Sequence, residues 1–115
     1  MENQDKVLEV FADRFEYIVP NRTDAKVLFS LFIETQNNSE KLSYSESEIR
    51  ELIRKYYKQD NEGEREQRQK VEERFQTLLR QQFLDRNRER RIVLTDYSLQ
   101  LIQRENPTIT QSVYY

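Results

Sequence analysis

Residues 78–95 decide the fold: Leu78-Leu79-Arg80-Gln81-Gln82-Phe83-Leu84-Asp85-Arg86-Asn87-Arg88-Glu89-Arg90-Arg91-Ile92-Val93-Leu94-Thr95. Two short apolar segments, Phe83-Leu84 and Ile92-Val93-Leu94-Thr95, flank a polar, arginine-rich tip, the pattern of a β-hairpin. Before it, Val71, Phe75, Leu78 and Leu79 recur at helical spacing, so a helix starting within residues 64–69 leads into the hairpin, with Phe83 at its buried end. After it, Thr95 or Asp96 caps a closing helix whose apolar positions are Tyr97, Leu99, Leu101 and Ile102. Pro107 stops it.

Upstream, Ser45 followed three residues later by Glu48 is a capping box. The helix it opens offers Ile49, Leu52, Ile53, Tyr56 and Tyr57 for burial. Leu42-Ser43-Tyr44 before it reads as a short edge strand, and Gln36-Asn37-Asn38-Ser39 as a polar turn. Residues 23–35, capped by Asn21 or Thr23, are crowded with Val27, Leu28, Phe29, Leu31, Phe32 and Ile33, as expected of a central helix. Val7, Leu8, Phe11, Ala12, Phe15 and Ile18 lay an apolar stripe along a first helix over residues 5–18, which Pro20 ends. Residues 58–69 are the least apolar stretch and hold the single glycine, Gly63. The first half of that stretch reads as an exposed loop.

Three helices followed by a two-stranded hairpin form the winged helix-turn-helix plan, mainly α with a small β-hairpin. In it the helix before the hairpin takes the recognition position and the hairpin is the wing. The expected organisation is an N-terminal helix over 1–20, a winged-helix domain over 21–105 and a C-terminal tail over 106–115. With 115 residues the chain has room for one core. Charged residues make up 35% of it and hydrophobic ones 36%, so seven Tyr and six Phe must supply much of the buried area.

The residues that are missing narrow the function. Without Cys there is no disulfide, no thiolate nucleophile and no sulfur-ligated metal; without His the commonest general base and zinc ligand are gone. One glycine cannot build a phosphate-cradling loop. The adjacent carboxylates Glu72 and Glu73 point to different faces of their helix. A non-enzymatic protein follows, with no cofactor and no metal. No segment is apolar enough for a signal peptide or a membrane span, so a cytoplasmic location and no membrane partner are expected.

Charge is unevenly distributed. Residues 64–91 carry nine cations against six anions, a net +3, which leaves −5 for the rest of a chain whose total is −2. Candidate DNA-phosphate contacts are Arg86, Arg88, Arg90 and Arg91 on the wing, with Lys70 and Arg74 on the recognition helix. Glu72 and Glu73 oppose this, because a carboxylate in the middle of that helix repels phosphate. A solvated helix face with i,i+4 pairs explains the same residues. Candidate dimer-interface residues are Phe29 and Phe32 of the aromatic helix and the terminal Tyr114 and Tyr115. A chain ending in Tyr-Tyr reads as tucked against a partner or cut from something longer.

Residues 23–36, residues 42–57 with the Ser45 box, and above all the run Leu78-Leu79-Arg80-Gln81-Gln82-Phe83-Leu84-Asp85-Arg86 followed by Ile92-Val93-Leu94-Thr95 resemble the N-terminal winged-helix domain of the MukF-like bacterial kleisins. That family has an apolar-Arg-Gln-x-x-Leu-x-Arg helix end, a wing, and an apolar-x-Leu-Thr step into the next helix. The resemblance spans about residues 20–105. It implies a homodimerisation and assembly module of an SMC (condensin-like) complex, in chromosome partition or plasmid defence, associated with the nucleoid and with other SMC-complex subunits. In that family a helical bundle follows the domain, and this sequence stops where it would begin, as an excised domain or a stand-alone winged-helix protein would. The alternative is a small winged-helix DNA-binding regulator. An accessory protein that caps another protein's surface is a third reading.

Overall fold

The computed structural model describes residues 6, 8–10, 12–13, 21–38, 40–57 and 63–104. Outside them lie Val7, Phe11, Phe15, Ile18 and Pro20 of the expected first stripe, the loop at 58–62, Pro107 and the whole expected tail with Tyr114 and Tyr115. The chain is mainly helical with one small antiparallel sheet.

The described residues at 6, 8–10 and 12–13 are helical (α1), and Leu8 and Ala12 lie in the core. α2, Arg22–Asn37, starts where Asn21 Oδ1 accepts the Asp24 N–H at 3.0 Å, the N-cap exchange that satisfies an otherwise unpaired first-turn donor. It ends at Asn38, whose N–H closes on the Glu34 carbonyl. α3, Glu46–Tyr56, has the full capping box: the Glu48 N–H donates to Ser45 Oγ, and the Ser45 N–H donates to Glu48 Oε1, both at 3.1 Å. α4, Glu64–Arg80, begins after Gly63 with no side-chain cap.

The end of α4 aims the hairpin. Gln82 takes φ 63°, and its N–H donates to the Leu79 carbonyl while the Phe83 N–H reaches back to Leu78 at 3.0 Å. Those two bonds are a Schellman motif, whose left-handed position is ordinarily glycine. The turn takes Phe83 off the helix and into the core.

β1, Leu84–Arg86, pairs antiparallel with β2, Ile92–Leu94, in the register Leu84↔Leu94, Asp85↔Val93, Arg86↔Ile92. Asp85 and Arg86, expected in the tip, are strand residues, so the tip is shorter than the sequence suggests. Tyr44 adds a one-residue bridge on the other edge of β2, with two backbone bonds to Ile92 of 2.7 and 2.8 Å. The expected edge strand at 42–44 contracts to this bridge.

Residues 96–104 form the closing helix, α5. Thr95 caps it: its Oγ1 accepts the Ser98 N–H and donates to the Gln82 carbonyl at 2.6 Å, and Ser98 Oγ donates to the Phe83 carbonyl at 2.6 Å. Capping at Thr95 turns Ser98 inward. Tyr97, expected on the buried face, is 49% exposed, with its ring 5.5 Å from Phe83.

One core joins all these elements: α2 supplies Val27, Leu28 and Leu31, α3 Ile49 and Ile53, α4 Phe75 and Leu78, the hairpin Leu84 and Ile92, and α5 Ile102. Phe29 and Phe32 belong to the same core. They are 1% and 4% exposed and their rings stack at 6.2 Å. Neither is available to a second copy, which corrects their assignment to a dimer interface: a helix this rich in apolar residues runs through the domain's own centre.

Candidate nucleic-acid and partner-binding surface

The surface singled out by the sequence is the outer face of α4 together with the hairpin. Gln69, Glu72, Glu73, Arg74, Gln76, Thr77 and Arg80 line a shallow depression along α4. Glu72 and Arg74 among its charges are engaged within the chain. Arg50 of α3 donates to both oxygens of Glu72, at 2.7 and 3.4 Å, and Gln76 donates to Glu72 at 2.9 Å. The Arg50 bond, then that of Gln76, holds the Glu72 carboxyl below its ordinary range. Lys70 lies over the Tyr57 ring, 5.9 Å from its centroid.

Arg74 does not face a groove free of partners. Its Nη1 stands 3.3 Å from Oδ2 of Asp24, a carboxylate only 3% exposed, in the first turn of α2. The other oxygen, Oδ1, is buried with no hydrogen-bond partner among the described residues. Burial pushes the Asp24 carboxyl up to about 6; the attraction of Arg74 acts the other way and is the smaller effect.

The tip end of the hairpin strands is held in the same way. Arg86 donates to Glu46 Oε1 through both Nε and Nη2, at 3.2 and 2.8 Å. Arg50 and Arg86 both stand over the buried Phe75 ring, at 5.0 and 5.9 Å, so two guanidiniums share one aromatic with their carboxylates beside them. Arg91 donates to the Ser43 hydroxyl at 2.7 Å and to the Ser43 carbonyl, and lies 3.8 Å from Glu48. Lys41 also binds Glu48, and this bond, with that from the Ser45 backbone, pulls the Glu48 carboxyl down to about 2. The first turn of α3 thus holds both sides of the hairpin tip, through Glu46 and Glu48.

At the tip the pattern changes. Arg88 and Arg90 are exposed, and neither makes an ion pair among the described residues. Of six cations assigned to phosphate, then, Arg74, Arg86 and Arg91 face carboxylates of their own chain, Lys70 covers an aromatic ring, and two project freely. Arg74, Arg86 and Arg91 each stand beside a carboxylate of their own chain. The sequence reading overlooked Asp24, Glu46 and Arg50, whose partners stand 50, 40 and 22 residues away. Nothing in spacing or composition links such pairs.

A groove of about 440 Å³ between α2 and α3 has Leu31, Tyr44 and Leu52 on its walls and Glu34, Lys41, Glu48 and Lys55 among its rim. Among the described residues no cluster of three or more Asp or Glu is placed to hold a metal ion, and no helix is long and apolar enough to cross a membrane. Comparison with known proteins finds no matching family, no matching curated protein and no matching solved structure.

Proposed function

We propose that this chain is a winged-helix domain used for protein assembly, without catalytic activity of its own, and that it pairs with a second copy. The order of α2, the Tyr44 bridge, α3, α4 and the β1–β2 hairpin supports the winged-helix reading, with α4 in the recognition position. The observation that carries the assembly reading is the internal neutralisation of Arg74, Arg86 and Arg91 by Asp24, Glu46 and Glu48. Duplex affinity grows with the number of phosphates that free cations neutralise, and this face offers few. The likeness to MukF-like kleisins supplies the specific form: a dimerisation module of an SMC-type complex in the cytoplasm, acting in chromosome organisation or plasmid defence.

Size-exclusion chromatography with light scattering over a wide concentration range tests the pairing. A dimer that dissociates only on dilution is expected, and a strict monomer at the highest concentration refutes it. The rival reading, a small DNA-binding regulator, draws on Arg88 and Arg90 at the hairpin tip. It requires duplex binding that disappears in an R88E/R90E variant.

A further inference from the structure

Three features of the hairpin tip belong together. Its backbone is fixed by one side chain: Asn87 Oδ1 accepts the N–H groups of both Glu89 and Arg91, at 2.9 and 3.0 Å. The Asn87 N–H donates to the Arg91 carbonyl, and the Arg90 N–H to that of Asn87. These bonds close a three-residue loop in which Arg90 holds φ 60°, the left-handed position that glycine or asparagine ordinarily fills. An arginine there is kept against a cost in stability, and such strain gathers where a side chain has work to do. Finally, Arg88 and Arg90 are the hairpin arginines that the acids of α3 leave alone.

We infer that the hairpin tip is a docking point for an acidic protein surface, gripped by the Arg88 and Arg90 guanidiniums. The inference rests on the assembly reading and names the chemistry of the partner. Guanidinium forks match carboxylates in bidentate geometry, and a loop already ordered loses little freedom on binding. Glu89 stands between the two arginines, and Glu73 lies along the outer face of α4. A continuous polyanion meets both carboxylates as repulsion. A folded partner can set a Lys or Arg opposite Glu89 and its own Asp and Glu opposite the guanidiniums. Two phosphate contacts alone would also leave duplex binding weak at physiological salt.

The test is fluorescence anisotropy of the full chain with a labelled acidic peptide in which a lysine separates pairs of glutamates and, separately, a labelled duplex of about 20 base pairs, at about 50 mM salt. The peptide is expected to bind more tightly than the duplex. R88Q/R90Q should weaken peptide binding by about tenfold or more without lowering the melting temperature. R90G should raise the melting temperature, by relieving the left-handed strain, and still weaken peptide binding. Absence of peptide binding, equal binding by R88Q/R90Q, or tighter binding of the duplex overturns the inference. A monomer that binds the peptide through these arginines refutes self-pairing and leaves the docking point standing; a dimer indifferent to them does the reverse.

Discussion

Replacing Gln82 by glycine should stabilise the protein, although glycine at most helix-end positions does not. Gln82 holds φ 63° at the end of α4. A side chain in this region costs roughly 1–2 kcal/mol, because Cβ crowds the following carbonyl. Glycine removes that crowding but restores about 0.5–1 kcal/mol of conformational freedom to the unfolded chain. The Gln82 side chain is exposed, so no packing is lost, and the net gain is about 0.5–1 kcal/mol. For a domain of this size that raises the melting temperature by roughly 2–6 °C. Thermal unfolding followed by circular dichroism measures it, with Gln81→Gly as control. Gln81, at φ −80°, gains nothing from glycine and should lose about 0.5–1 kcal/mol. If Q82G is neutral or destabilising, or the two variants behave alike, the hairpin is not aimed by a left-handed cap and the description of this junction is wrong.

Three further outcomes follow from buried and capping groups. Asp24 holds its proton more tightly folded than unfolded, so its contribution to stability is greatest below about pH 4 and declines as pH rises through about 6. Urea unfolding of D24N should lack this decline and show a gain on the order of 1–3 kcal/mol at pH 7.5; an unchanged pH profile contradicts the buried carboxylate. Ser45→Ala should cost about 1 kcal/mol by opening the capping box. The Glu48 contribution runs opposite to that of Asp24, present above about pH 4.5 and lost as pH falls towards about 2; being partly exposed, it should stay below about 1 kcal/mol in acid titrations. Phe32→Ala should cost about 3–5 kcal/mol in monomer stability, whereas a loss confined to self-association would return this ring to an interface.

What could be read in the sequence was local. The Ser45–Glu48 box stands three residues apart and forms as spelled out, and the apolar run at Ile92 marks β2 because its alternative is exposure. The other strand was harder to see. Asp85 and Arg86 look like loop, yet they pair with Val93 and Ile92 because an edge ladder uses backbone groups and tolerates charge. Gln82 and Arg90 adopt left-handed conformations without glycine, so neither turn had a signal. Tyr97 reads as an apolar position of the closing helix, but the cap at Thr95 fixes the helix phase and gives the buried place to Ser98. The cations of α4 and the hairpin stand out in the sequence by their number. Their acids do not, since Asp24 and Arg74, 50 residues apart, meet only in the folded chain.

The claim that these acids withhold the surface from nucleic acid can be measured by restoring the charge. A labelled duplex of about 20 base pairs is titrated at about 50 mM salt with the natural chain and with a D24N/E46Q/E72Q variant. The natural chain is expected to bind weakly, and the variant, with Arg74, Arg86 and Arg50 released, markedly more tightly and with a steeper salt dependence. Tight binding by the natural chain, unchanged in the variant, would mean that the arginines were never neutralised.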